Sequence, residues 1–344
     1  KPVAVDQASD TPFEIDVTGK LKAGDKAELA VRITNPGGDY DWMDYVPIVW
    51  NGVKIHGGRC VGGITGKGSL NALDPVYIDD GFVMNKPDPR TIEVRTTIRN
   101  TTDSVQKAEL ATCVVEEGAD KKLVPATETV ELQPGDNVVS RTITLPDAKL
   151  WDIDSPNLYR LVAQCGNDVK EQTFGFRWFA PEGIGENAIF RLNGRRVRIL
   201  SALSWGWWPT TGIIPTPEYA AQQVATAKQF GLNSLFFHRH MGQPLLLQEA
   251  DRQGLMYHGE PGSFVGGSHS PEGKAIMKER VLRMVKMFRS HPSFVFYDLI
   301  NEQWGDSKDY AWYQHMVEEV HKADPTRVVA LTSAWGKQDY NVED

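Results

Sequence analysis

Hydrophobic positions along the chain follow two rhythms, and the change between them falls near Pro181. Before it, apolar residues recur at every second position. In AELAVRITNP, Leu29, Val31 and Ile33 alternate with Ala30, Arg32 and Thr34. In RTIEVRTTIRN, Ile92, Val94 and Ile98 share one face while Glu93, Arg95 and Arg99 take the other. Period two places alternate side chains on opposite faces of a strand. NPGG, KPDP, QPGDN and SPN punctuate these runs with turn-forming residues. The pattern persists through LYRLVAQC and QTFGFRWF with no helical period between them. It predicts sandwich-type domains.

After Pro181, strand-like runs alternate with helical ones. RVRILSAL reads as a buried strand, followed by a helix with Thr216 as N-cap and Pro217 at its first position. Ala220, Val224 and Ala227 share one face of that helix, and Gly231 suits its C-terminal cap. LNSLFF, LMYHG, SFVFYDLI and RVVALTS read as further strands. Between them lie helices over PLLLQEADRQG, SPEGKAIMKERVLRMVKMFRSHP and KDYAWYQHMVEEVHKADP. The middle helix puts Met277, Val281, Met284, Val285 and Phe288 on one stripe and stops at Pro292. Five strands joined by four helices predict a parallel sheet with crossover helices. A doubly wound sheet shares this rhythm but calls for a Gly-rich phosphate loop after its first strand. SWGWWPTTG stands there instead.

Composition narrows the function classes. A length of 344 residues exceeds what one small core needs, so two or three domains are expected. A net charge of -8, with no clustered Lys or Arg, argues against a nucleic-acid or anionic-membrane partner. No apolar run is long enough for a membrane span. KPVAVDQASD does not read as a signal peptide. The compartment stays open, with a periplasmic or secreted location ranked before the cytoplasm, and a homo-oligomer is compatible with all of this. Cys60, Cys113 and Cys165 are too few and scattered for a disulfide framework or zinc site, so buried free thiols are expected over a Cys113–Cys165 bridge.

The chemistry gathers at the strand ends. Trp205, Trp207 and Trp208 follow the first strand, and His238, Arg239 and His240 the second. His258 and Glu260 end the third, Asn301, Glu302 and Trp304 the fourth, and Trp335 the fifth. In a (β/α) barrel these ends converge on the catalytic face. Each residue alone has a structural explanation: a core Trp207, a satisfied buried His258, a Glu260 at a helix N-terminus. Carboxylates, aromatic plates and hydrogen-bonding side chains together suit a sugar ring.

HPSFVFYDLINE resembles the acid/base strand of glycoside hydrolase family 2, the family of β-galactosidases, β-glucuronidases and β-mannosidases. LWDIDSPNLYRLVAQC with QTFGFRWF is similar to the closing strands of that family's immunoglobulin-like domain. TPFEIDVTGKLKAGDKAELAVRITNP and DPVYIDDGFV resemble the end of its jelly-roll and the entry to the middle domain. The fold implied is a partial jelly-roll over residues 1–72, an immunoglobulin-like sandwich over 73–178, and the first five strands of a TIM barrel over 179–344.

The resemblance implies a retaining, exo-acting β-glycosidase. Glu302 matches the general acid/base, and Asn301 matches the residue that holds the sugar 2-hydroxyl. The acid/base is expected to need a raised pKa from a dry cleft and a neighbouring carboxylate. His238, Arg239, His240, Glu260, Trp205 and Trp335 are expected at the substrate. The family's nucleophile, a Glu at the end of strand seven, has no counterpart by strand five, and Glu343 lacks barrel context. An internal portion of a longer enzyme is therefore expected. Where many members place an Arg and then His and Pro, this chain has FFHRHMGQP in a shifted register. A carbohydrate substrate is the implied partner, and no metal or organic cofactor is expected because both catalytic groups are carboxylates. The alternatives are a glycosidase of a neighbouring family of the clan and a non-catalytic carbohydrate-binding or scaffold chain.

Overall fold

A computed structural model describes residues 3–8, 10–22, 24, 26–33, 48–50, 53–55, 63–206, 214–262, 270–302 and 310–332. The early part holds one short antiparallel hairpin, β1 (Ile48–Trp50) with β2 (Val53–Ile55). The alternation at Leu29, Val31 and Ile33 does not form a strand, and all three side chains are exposed. A strand needs a neighbour to take up its N–H and C=O groups. None of the described segments pairs with this one. Among the described residues before residue 72, where a partial jelly-roll is expected, there are extended chain and this one strand pair.

An immunoglobulin-like sandwich follows. Its strands are β3 (Val76–Asn85), β4 (Thr91–Asn100), β5 (Gln106–Glu116), β6 (Lys122–Leu132) and β7 (Gly135–Thr144). After the small hairpin β8 (Trp151–Asp152) and β9 (Ser155–Pro156) come β10 (Tyr159–Cys165) and β11 (Asp168–Phe174). One antiparallel sheet has the order β3-β4-β7 and the other β11-β10-β5-β6. In β4 every second residue from Ile92 to Asn100 is buried, as the period-two reading requires. Ile92, Val94, Ile143, Val114 and Leu161 of the two sheets pack into one core, where Tyr159, Phe174 and Phe176 meet with ring centroids 5.0–5.9 Å apart. Cys113 and Cys165 are buried free thiols; Cys60 lies outside the described residues.

The second half is the expected parallel unit. Its sheet runs β15 (Ser201–Ser204), β16 (Ser234–Phe237), β17 (Met256–Gly259), β18 (Phe294–Ile300), β19 (Val328–Thr332), in chain order and all parallel. A three-stranded antiparallel sheet, β12 (Phe179–Glu182), β13 (Ile189–Leu192) and β14 (Arg195–Val197), precedes it. Phe179, Leu192 and Val197 of that small sheet pack on Met256 and Val295, closing the N-terminal end of the parallel strands. The crossover helices are α1 (Pro217–Gln229), α2 (Pro244–Gln253), α3 (Pro271–Phe288) and α4 (Tyr310–Ala323). Thr216 caps α1 by accepting the Tyr219 N–H, and Gly231 just beyond its end has φ +78°. The α3 stripe from Met277 to Phe288 is wholly buried against the sheet.

RVRILSAL is a correction. It is neither one strand nor buried: β14 ends at Val197, β15 starts at Ser201, and Leu200 and Leu203 are exposed. β15 is a sheet edge among the described residues, so no neighbour covers its outer side. QTFGFRWF also divides, because β11 stops at Phe174 and Gly175 lies against Trp151.

Candidate active site

The C-terminal ends of β15 to β18 bring together side chains that lie far apart in the chain. β16 is followed at once by His238 and Arg239, and β18 by Asn301 and Glu302. Arg239 has φ +57° and Glu302 φ +54°, left-handed backbone that costs a side-chain-bearing residue about 1–2 kcal/mol. Only three other described non-glycine residues share that conformation. The two strained residues face each other: Arg239 Nη2 donates to Glu302 Oε1 at 2.9 Å. The left-handed turn after each strand aims its side chain across the sheet end.

Glu260, just past β17, is wholly buried. Its Oε1 accepts the Arg239 N–H at 2.6 Å and lies 3.6 Å from His238 Nδ1. Its Oε2 finds no donor among the described residues. Burial pushes the Glu260 carboxyl well above the usual carboxylate range. The Arg239 N–H bond opposes that rise and the Asp298 and Glu302 carboxylates add to it. Glu302 itself is placed differently from the dry cleft expected of it. Its side chain is 28% exposed and has an arginine partner through Oε1.

Trp205 stands over this group, its ring edge-on to His238 at 4.5 Å and 5.8 Å from the Arg239 guanidinium carbon. Asn301 is buried at the end of β18. His240 is not turned to the same space. Its ring lies between two backbone carbonyls, Nδ1 2.8 Å from Met241 O and Nε2 2.9 Å from Ser204 O. Gly206, at φ +60°, lies so close that a Cβ there would meet the His240 ring at 2.2 Å. Trp335, Trp207, Trp208, Trp304 and Glu343 lie outside the described residues.

Below this layer His258 lies in a row with Phe236, Phe296 and Asp298 that sequence reasoning did not join. Phe236 stacks on His258 at 4.4 Å, and His258 meets Phe296 edge-on at 5.7 Å. His258 Nδ1 lies 3.2 Å from Asp298 Oδ2, and its Nε2 3.3 Å from Ser201 Oγ. Asp298 within the apolar run FVFYDLI was the available signal, since a carboxylate inside a buried strand needs a partner. The pair satisfies His258 structurally, in keeping with the buried histidine that the sequence allows. Among the described residues no three metal-ligating side chains cluster, and no helix is long and apolar enough to cross a membrane.

Comparison with known proteins adds a lineage to this geometry. Residues 76–177 match the family profile described as glycosyl hydrolases family 2, and residues 245–343 match that family's TIM barrel domain. A β-galactosidase of Thermoanaerobacterium thermosulfurigenes is 29% identical over 193 residues, which cover 53% of this chain and 25% of that protein. A β-glucuronidase of Formosa agariphila is 24% identical over 341 residues, covering 91% of this chain and 33% of that protein. Among solved structures, a family 2 glycosyl hydrolase from Bacteroides cellulosilyticus superposes with a TM-score of 0.70 at 21% identity, over 78% of this chain and 36% of that one. A Bacteroides uniformis β-glucuronidase gives 0.64 at 17% identity, over 74% and 34%. At such identities the superpositions show the fold alone. The chain spans a third or less of the length of these curated relatives.

Proposed function

The chain belongs to glycosyl hydrolase family 2, and on that premise we propose that it carries the acid/base half of a retaining, exo-acting β-glycosidase. The observation that carries the reading is the meeting of Glu302 with Arg239 at the C-terminal end of the parallel sheet. Arg239 holds Glu302 by one oxygen, and the other has no protein donor among the described residues. That oxygen is the one to hand a proton to a departing glycosidic oxygen. In the second step it takes a proton from the water that releases the sugar. Asn301 beside it suits the sugar 2-hydroxyl, a contact that tightens in the oxocarbenium-like transition state. Trp205, partly exposed, offers an apolar plate to the C–H face of a ring.

A retaining mechanism needs a second carboxylate about 5 Å from the first as nucleophile. By analogy with the family, that carboxylate is a Glu expected at the end of a seventh strand. Glu260 suits that role poorly, being buried and bound to a backbone N–H. The substrate is a terminal sugar of an oligo- or polysaccharide. The relatives named for galactosides and glucuronides leave its identity open.

Leaving-group dependence in the full-length protein tests this. With Glu302→Gln, an alkyl glycoside, whose alkoxide must be protonated to depart, should lose far more rate than a nitrophenyl glycoside. Azide should restore turnover, because a small anion attacks the glycosyl-enzyme without a general base. Equal losses on both substrates with no azide rescue would overturn the assignment.

A further inference from the structure

Glu260 sits behind Arg239 rather than in the open site. Its side chain is completely enclosed, it accepts the Arg239 N–H at 2.6 Å, and its second oxygen meets no donor among the described residues. Arg239 is left-handed at that point, a conformation that nothing in its own side chain favours. Its guanidinium ends on Glu302 Oε1. We propose that Glu260 is a positioning residue: by accepting the Arg239 N–H, its carboxyl locks the left-handed backbone that aims the guanidinium at Glu302.

The loop bearing Glu260 is itself supported from behind. A Cβ on Gly262 would stand 2.8 Å from Arg280 Nη2, so α3 abuts the loop closely. Arg280 is nearly buried and bonds Asp10 at 2.7 Å. Support thus runs from α3 through Gly262 and Glu260 to Arg239, and ends on Glu302. A neutral acid, the form burial favours for Glu260, still accepts a backbone N–H through its carbonyl oxygen. Glutamine preserves that acceptor and the shape. Leucine removes the acceptor and keeps the bulk.

The inference rests on Glu302 being the acid/base, so the experiment separates the two. Structures of Glu260→Gln and Glu260→Leu in the full-length protein come first. In the leucine variant Arg239 should leave positive φ and its guanidinium should leave Glu302; in the glutamine variant both should stay. Kinetically, Glu260→Leu should lose about 10- to 100-fold in kcat on alkyl glycosides, the size expected from misplacing a catalytic group by about an ångström. KM should change little, and nitrophenyl glycosides should lose less. Glu260→Gln should restore most of kcat. Arg239→Leu combined with Glu260→Leu should be no worse than Arg239→Leu alone, since both break one linkage. An Arg239 that stays left-handed in Glu260→Leu overturns the proposal. So does a glutamine variant as slow as the leucine one with Arg239 still in place. Unchanged kinetics in Glu302→Gln would sink the acid/base reading instead, while the Arg239 backbone would still report on Glu260.

Discussion

The two ends of the parallel sheet both bury charged groups, yet they treat them differently. At the N-terminal end Asp251 accepts the Ser293 N–H and contacts His291, and Asp324 accepts from Tyr297 and twice from Thr326. Every carboxylate oxygen there has a partner. Arg327 spreads its guanidinium over the carbonyls of Phe294, Arg289 and His291. Arg177, arriving from the sandwich, donates to that same Phe294 carbonyl at 2.8 Å. At the C-terminal end one oxygen of Glu260 has no donor among the described residues and the Glu302 side chain is partly exposed, and left-handed backbone holds Arg239 and Glu302. Buried carboxylates with every oxygen bonded, on relaxed backbone, are architecture, although the Arg177 Nε beside them has no partner among the described residues. A buried carboxylate oxygen without a donor, next to strained backbone, is a feature that active sites share.

The largest expected effect is kinetic and confined to the C-terminal end. Glu302→Gln should slow the full-length enzyme on an alkyl glycoside by roughly 10²–10⁴-fold while its urea midpoint hardly moves. A large stability loss with modest kinetic change would erase the contrast between the ends. Next comes a stability effect confined to the N-terminal end. Arg327→Met takes the guanidinium from the Arg289 carbonyl and leaves His291 O only the Phe294 N–H, and it should cost about 3–5 kcal/mol in urea unfolding. Arg177→Met should stay within about 1 kcal/mol of wild type. Its Nε has no partner among the described residues, and burial and then the Arg327 cation pull its pKa well down. Equal costs for the two would show that the count of hydrogen bonds does not set their worth.

A pH series sharpens the comparison further. The raised pKa of Glu260 means that, above its ordinary value of 4.5, the folded protein binds a proton that the unfolded chain has released. Stability from this group is therefore fully present below 4.5 and falls as pH rises towards the folded pKa. The slope approaches about 1.4 kcal/mol per pH unit at most. Urea melts at a series of pH values above 4.5 should show stability falling in wild type, and Glu260→Gln should flatten that fall. His238, Arg239, Asp298 and Glu302 surround the group, so the comparison with Gln isolates its share. The smallest effect is a control. Thr216→Ala removes the α1 cap near the same sheet end and should cost about 1 kcal/mol with unchanged kinetics. A kinetic defect there would mean that position at this end, rather than contact with the site, carries the rate.

Much of this was legible in the chain. Period two in Thr91–Asn100 became a strand buried at every second residue, and the stripe from Met277 to Phe288 became the buried face of α3. The cap at Thr216 formed as its residue types dictate. These features are local, because burial and capping act over a few residues and leave their period in the sequence. Asn301 and Glu302 stood out because they end an apolar run. His240 is placed differently from its neighbours His238 and Arg239, with its ring nitrogens against the Ser204 and Met241 carbonyls.

The sequence by itself determined the four helices, the strands between them, their order and the sheet end at which polar side chains collect. Only the tertiary structure decided which of them meet. The alternation at Leu29, Val31 and Ile33 is as regular as that of β4, yet it forms no strand, because pairing depends on a partner that local pattern cannot name. Arg239 and Glu302 are bonded across a separation of 63 residues, and Glu260 reaches Arg239 across 21. Those contacts come from strand register and from two left-handed backbone turns, one at an arginine and one at a glutamate. Neither residue type favours that conformation on its own, so it is imposed by the contacts that surround it.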